Sequence, residues 1–202
     1  MRSPSLGLGS IVAILAVSLA SAAPAEAGGI GGIFDEVKLG LLDADTGIGG
    51  PKVESGLDIN GEVLFTAPQW FVSPDDPPWL RGLLAPRPTV GFTYNTNGGE
   101  TSFIDINLNW SWHLARQLLD DHDGIYASFE FGGALNNSDL DPNDPNNKDM
   151  GSRGLFHLAV ELGYDIDEHL NVSAYYEHFS NANLGTTNPG MNNLGVRLGY
   201  RF

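Results

Sequence analysis

Apolar residues recur at every second position in segment after segment of this 202-residue chain. A period of two predicts β-strands that have one apolar and one polar face. In one segment, for example, Ile104 and Ile106 alternate with Asp105 and Asn107. Eight segments share the pattern, and we predict strands over 36–41, 53–65, 89–95, 104–112, 125–132, 156–164, 170–180 and 191–202.

The number and length of these segments favour a closed barrel. Small barrels that span bacterial outer membranes have an even number of antiparallel strands, each of about ten residues, and aromatic girdles near the strand ends. Four aromatic residues of the chain lie near predicted strand ends: Trp110, Trp112, Tyr164 and Tyr200. We therefore predict an all-β fold, an eight-stranded antiparallel transmembrane barrel of the outer membrane.

The polar face of the strands carries most of their charged residues. This charge indicates whether the polar face points into the barrel or out of it. A soluble barrel of the lipocalin kind is the alternative, and it would turn its apolar face inward around a ligand. The interior of an eight-stranded barrel is just filled by side chains. We therefore expect a plug of paired charges in the lumen, made by Lys38, Glu54, Asp58, Glu62, Asp105, Glu130, Glu161, Arg197 and Arg201.

The first residues have the pattern of a secretory signal peptide. An apolar run over 11–19 is followed by small residues at Ala20-Ser21-Ala22 and at Ala25-Glu26-Ala27. A membrane-spanning helix would need about 20 apolar residues. We predict a signal peptide over 1–27 and a barrel over 28–202, and the final Tyr200-Arg201-Phe202 resembles the assembly signal of bacterial outer-membrane barrels.

Composition narrows the classes of partner. The net charge of −15 disfavours nucleic acid. The chain has no cysteine, which excludes disulfides and thiolate metal sites. An acidic stretch in the outer loop between the fifth and sixth strands is a candidate for binding Mg²⁺ or Ca²⁺, although such stretches are more often solvated; its residues are Asp139, Asp141, Asp144 and Asp149.

Two connections between predicted strands are longer than a tight turn. The Pro-rich segment 67–86 is longer than a usual periplasmic turn, and the pattern gives no account of it. The segment 113–123 is expected to form a short helical turn.

Candidate chemistry lies on the apolar face of the last two strands. His178 and Ser180 continue the apolar row of the seventh strand, where side chains two apart lie about 6 to 7 Å apart. Asn192 has the same parity on the eighth strand, so a hairpin would bring it close to His178. The alternative is that these are rim residues bonded to lipid headgroups.

These residues also carry a resemblance. His178-Phe179-Ser180-Asn181-Ala182, then Asn188-Pro189-Gly190 and the terminal Tyr-Arg-Phe, is similar to the outer-membrane lipid A 3-O-deacylase family (acyloxyacyl hydrolases of the PagL type). The strand Glu54-x-Gly56-x-Asp58-Ile59-Asn60 supports it. The resemblance implies removal of an ester-linked acyl chain from lipid A of lipopolysaccharide, without a cofactor.

Carried over, the resemblance makes Ser180 the nucleophile and His178 its base. The family's glutamate, which orients the histidine, falls on Asn192. Replacing such a carboxylate by an amide costs serine proteases about 10⁴ in rate, so weak activity is expected. The oxyanion donors would be backbone N–H groups of Asn181 and Ala182, aided by the Asn181 side chain. A non-catalytic barrel with a structural or adhesive role is the second hypothesis.

Overall fold

The computed structural model describes residues 32–98, 100–138 and 148–202, and within them eight strands close into one antiparallel barrel. Each strand pairs with its neighbour in the chain, and β1 pairs with β8. The strands are β1 Phe34–Asp43, β2 Leu57–Phe65, β3 Arg87–Asn95, β4 Phe103–Arg116, β5 Gly124–Asn136, β6 Gly154–Asp165, β7 Leu170–Ser180 and β8 Met191–Arg201, with one helix, α1, over Pro78–Leu84. The predicted signal peptide lies outside the described residues.

We call the end of the barrel that carries the connections 44–56, 96–102, 137–153 and 181–190 the outer rim; β1 begins and β8 ends at the opposite end. No helix within the described ranges is long and apolar enough to cross a membrane.

Side chains alternate between the outer wall and the lumen, with register shifts near the start of β1 and near the end of β4. Ile106 and Leu198 are 68% and 65% exposed on the outer wall, whereas Lys38 and Glu161 are buried in the lumen. The apolar face therefore points outward, which confirms the predicted barrel. It contradicts the soluble alternative, because a lipocalin-like barrel would bury those apolar rows.

Paired charges fill the lumen, as predicted. The Arg197 guanidinium lies 3.0 Å from Glu62 and 2.8 Å from Glu161, and it stacks 3.6 Å above the Tyr175 ring. Lys38 Nζ lies 2.7 Å from the same Glu161 carboxylate. These four charges thus have opposite partners at hydrogen-bond distance, which is the condition for burying them. The Asp58 carboxylate, by contrast, is buried without a hydrogen-bond partner among the described residues.

The second strand begins later than predicted. Residues 53–56 belong to the outer rim, and β2 starts at Leu57 after Gly56, whose φ of 113° strongly favours glycine. The Glu54 carboxylate instead accepts hydrogen bonds from the N–H and hydroxyl of Thr101 and from the N–H of Lys148. Burial raises the pKa of Glu54. This carboxylate joins three rim connections.

The predicted helical turn over 113–123 is wrong in its first part, because β4 continues to Arg116. His113 pairs in register with Tyr126 of β5, and its Nε2 lies 2.8 Å from an Asp165 carboxylate oxygen. The Pro-rich connection contains α1, and Trp110 donates its indole N–H to the Leu83 carbonyl at 3.0 Å. This contact fixes the connection against the outer wall of β4.

Removing the central lumen charge should destabilise the barrel. We expect Arg197→Met to lower the free energy of unfolding by about 3–5 kcal/mol, because Glu62 and Glu161 lose a buried partner. Urea titration in detergent, followed by heat-modifiable gel migration, measures this change. Arg81→Met, at an exposed position of α1, is the control; equal midpoints for both variants would contradict the prediction.

Candidate active site

His178 and Asn192 meet on the outer wall, close to the outer rim. They are register partners on β7 and β8, and Nδ1 of the imidazole lies 2.6 Å from Oδ1 of the amide. His178 is half-buried, and Asn192 is buried at 5% exposure. The predicted contact between the two side chains is therefore present in the structure.

The orientation of the Asn192 amide is fixed by its other partners. Its Nδ2 donates to the Ile48 carbonyl at 2.6 Å, and Tyr176 donates its hydroxyl to Oδ1 at 2.7 Å. Because a carbonyl oxygen only accepts, the nitrogen must face Ile48 and the oxygen must face His178. Nδ1 of His178 then carries the proton, and Nε2 keeps a free lone pair that can act as a base.

Ser180 follows His178 on the same outward row and ends β7. The hydroxyl is half-exposed and has no hydrogen-bond partner among the described residues. Spacing along a strand puts the two side chains about 6 to 7 Å apart at the backbone, and catalytic hydrogen bonds often close only when substrate binds. Ser180 and His178 thus lie on the same outward face, and no hydrogen bond joins their side chains in the described part of the chain.

Asn181 is hydrogen-bonded to several residues of the loops at the outer rim. Its backbone N–H donates to Asn188 Oδ1 at 3.0 Å, and its Nδ2 donates to the Met150 carbonyl at 2.8 Å and the Thr187 carbonyl at 2.5 Å. All its N–H groups are therefore engaged. Its expected role as an oxyanion donor would require one of these hydrogen bonds to break.

Ala182 and Asn183 form a tight turn at the same place. Their φ angles are 52° and 63°, and the N–H of Leu184 donates to the Asn181 carbonyl at 2.9 Å. Two successive positive φ angles define a type I′ turn. In the described part of the chain, the Ala182 N–H has no backbone acceptor, so it can donate a hydrogen bond to another group.

The candidate cation loop lies mostly outside the described residues, because Asp139, Asp141 and Asp144 are not among them. Asp149 accepts hydrogen bonds from the Gly151 N–H at 2.8 Å and from the Thr187 hydroxyl at 3.0 Å. Within the ranges that the structure describes, no three metal-binding side chains come together.

Two contributors to the site were not predicted from the sequence. Tyr176 shares the outward parity of His178, so a search along the row could have found it. The Ile48 carbonyl belongs to the β1–β2 connection and carries no side-chain signal.

The fold and the site together define a class. The molecule is a barrel of the outer-membrane type that presents an imidazole and a hydroxyl, the groups that many ester hydrolases use, on its apolar outer wall. The family model "Lipid A 3-O-deacylase (PagL)" matches residues 74–201. The chain belongs to this family, whose members are carboxylic ester hydrolases. The protein is located in the outer membrane.

One solved structure supports the fold, and two others are less similar. The crystal structure of the outer membrane enzyme PagL matches with a TM-score of 0.58 and 15% identity, over 81% of this chain and 97% of that one. Neisserial surface protein A gives 0.49 and 13%, over 85% and 97%. The barrel domain of OprF from Pseudomonas aeruginosa gives 0.48 and 8%, over 84% and 97%. No curated protein matches the chain.

Glycine at position 190 keeps space for the histidine ring. Its φ is 65°, and an added Cβ would lie 3.0 Å from Cε1 of His178. We expect Gly190→Ala to cost about 1–2 kcal/mol of stability from the backbone and also to reduce lipid A deacylation, because the ring must shift.

Gly47→Ala is the matched control for this variant. Gly47 has a φ of 75°, and an added Cβ there would make only ordinary contacts of 3.5 Å or more, none of them with His178, so it carries the backbone strain without the ring contact. Deacylation rates per folded protein should separate the two variants. Equal rates would show that the contact with His178 does not matter.

Proposed function

We propose that the chain is a serine esterase that removes an ester-linked acyl chain from lipid A in the outer leaflet, with Ser180 as nucleophile and His178 as base. The single observation that carries the proposal is the 2.6 Å contact between His178 and Asn192. Since the amide orientation directs the proton to Nδ1, Nε2 is available to accept the proton of Ser180.

The reaction takes place in two halves. The Ser180 oxygen attacks the ester carbonyl carbon as its proton passes to Nε2 of His178, and the resulting oxyanion accepts the N–H of Ala182. The carbon–oxygen bond to the sugar then breaks, and the sugar oxygen takes the proton from Nε2. Water, deprotonated by the same Nε2, cleaves the acyl-enzyme, and the proton returns to Ser180.

An amide in place of a carboxylate limits the rate. Asn192 orients the ring but gives no charge to stabilise the imidazolium that forms during attack. Glu177, the nearest carboxylate in sequence, is buried in the lumen, where it accepts from Thr93 at 3.0 Å and Asn193 at 2.8 Å. We therefore expect slow turnover.

Removing the nucleophile should abolish the reaction. We expect Ser180→Ala to leave lipid A intact, and mass spectrometry of lipid A from expressing cells measures the loss of one acyl chain. Ser55→Ala changes an exposed hydroxyl at the same rim and should deacylate like the native chain. Continued hydrolysis by Ser180→Ala would exclude Ser180 as the nucleophile.

Restoring the carboxylate should raise the rate and weaken the rim. We expect Asn192→Glu to increase kcat at least tenfold, a small part of the roughly 10⁴ that separates the two groups in serine proteases. It should also lower stability by about 1–3 kcal/mol, because an oxygen replaces the donor to the Ile48 carbonyl. Kinetics and urea titration measure the two effects.

Asn192→Gln is the matched control, because it has the length of glutamate without its charge. A gain in the glutamine variant would attribute the effect to length. Unchanged lipid A in both the native chain and Asn192→Glu would favour the non-catalytic barrel.

A further inference from the structure

Helix α1 lies against the outer wall of β4, at the end of the barrel opposite the outer rim, which we call the inner end. Besides the hydrogen bond from Trp110 to the Leu83 carbonyl, a Cβ added at Gly82 would lie 3.8 Å from Nε1 of Trp112. Both tryptophans share the outward parity of Ile106, which is exposed on the outer wall. The helix therefore lies outside the barrel, beside the aromatic residues at its inner end.

The turn that precedes α1 exposes two aromatic side chains. Trp70 and Phe71 are 85% and 73% exposed, and they occupy the centre of a turn in which the Val72 N–H donates to the Gln69 carbonyl at 3.3 Å. Aromatic side chains of this size dominate the energetics of cores and interfaces when they are covered. Their exposure at the tip of a turn therefore marks a surface that binds something apolar.

The helix itself has two apolar sides. Leu80 and Leu84 are four residues apart, so they lie on one side, and both are half-buried where α1 packs on β4. Trp79 and Leu83 lie on the neighbouring side and are exposed, Trp79 to 69%. Among the described residues, no side chain of the protein buries this second side.

The polar groups of the connection suit the headgroup level of a bilayer. The Ser73 N–H donates to the Asp76 carboxylate at 2.7 Å, and the Asp76 N–H donates to the Ser73 carbonyl at 3.1 Å, so this turn satisfies part of its own backbone. Arg81 is exposed on α1, and a long cationic side chain can reach lipid phosphates while its stem stays on apolar surface. Tryptophan, with an apolar ring and a polar N–H, is enriched at membrane interfaces.

We propose that the β2–β3 connection is an interfacial anchor, which inserts Trp70, Phe71, Trp79 and Leu83 among the phospholipids at the inner face of the outer membrane. The occupant is lipid because α1 continues the outer wall of β4, which lipid already covers in an outer-membrane barrel. The proposal goes beyond the esterase chemistry and does not depend on it. Interfacial aromatic anchors set the depth and tilt of a membrane protein.

Site-directed spin labelling tests the anchor directly. The chain has no cysteine, so a single cysteine carries a single nitroxide label. Phe71→Cys and Leu83→Cys are labelled and folded into vesicles of phosphatidylethanolamine and phosphatidylglycerol. Electron paramagnetic resonance then compares the accessibility of each label to oxygen, which dissolves in hydrocarbon, and to a nickel chelate, which stays in water. We expect both labels about 5–10 Å below the phosphate level, the depth of an interfacial helix.

Two reference positions calibrate the measurement. Val196→Cys lies on the outward face in the middle of β8, and Glu168→Cys lies in the exposed β6–β7 turn at the inner end. The ratio of oxygen to nickel accessibility at Phe71→Cys and Leu83→Cys should lie below that of Val196→Cys and several-fold above that of Glu168→Cys. Ratios equal to that of Glu168→Cys would overturn the anchor.

A charge on the exposed side of α1 should lift the helix out of the lipid. Trp79 shares that side with Leu83, so we expect Trp79→Glu to move the label at Leu83→Cys to the water side of the phosphates. Asp75→Ser is the matched control, because it removes an exposed charge of the same connection and leaves the apolar side chains in place. Trp79→Ser replaces Trp79→Glu if the latter lacks the heat-modifiable migration of a folded barrel.

Each outcome is decisive for the anchor and separate from catalysis. Labels at interfacial depth that move with the change at Trp79 support the anchor, whether or not the native chain deacylates lipid A. An unchanged depth in the Trp79 variant would show that the contact with β4 alone holds the helix, which overturns the role of lipid. Labels on the water side in the native background overturn the anchor, leave the esterase intact and leave these side chains open to a periplasmic protein.

Discussion

Backbone hydrogen bonding between β1 and β8 closes the sheet, and the rest of the structure depends on that closure. In hydrocarbon, an unpaired N–H or C=O group costs several kcal/mol, so a sheet can cross the membrane only when it has no edge. Closure in turn leaves each side chain just two directions, lipid or lumen. Charged side chains of the membrane-spanning strands therefore lie in the lumen, where Arg197 pairs with Glu62 and Glu161.

That two-way choice explains how much the sequence could predict. Alternation identified all eight strands and placed His178 and Asn192 on one face, and their contact follows from a register in which they are direct partners. Alternation says nothing about where a strand gives way to a connection. Glu54 keeps the parity of β2 but lies in the rim, because its carboxylate bonds to other connections. The Ile48 carbonyl could not be predicted either, because a backbone acceptor in a connection leaves no mark on the sequence.

The hydrogen bond to the Ile48 carbonyl gives a structural reason for asparagine at position 192, where the resemblance to the family implies a glutamate. An amide offers both a donor and an acceptor, and Asn192 uses its donor to join the β1–β2 connection to the outer wall while its acceptor orients His178. A carboxylate has no donor, so it would face the Ile48 carbonyl with an unfavourable contact. Asparagine thus combines ring orientation with rim stability. In the proposed mechanism, it lacks the negative charge that would stabilise the imidazolium.

The same closure makes an outward glycine significant. On a soluble protein, a position without a side chain on an exposed surface fills with water, whereas on a membrane barrel it fills with hydrocarbon. Because the strands are tilted, a row of register partners does not follow the membrane plane but inclines through it. A gap such as that at Gly133 and Gly154, on the neighbouring strands β5 and β6, is therefore filled by hydrocarbon and not by water.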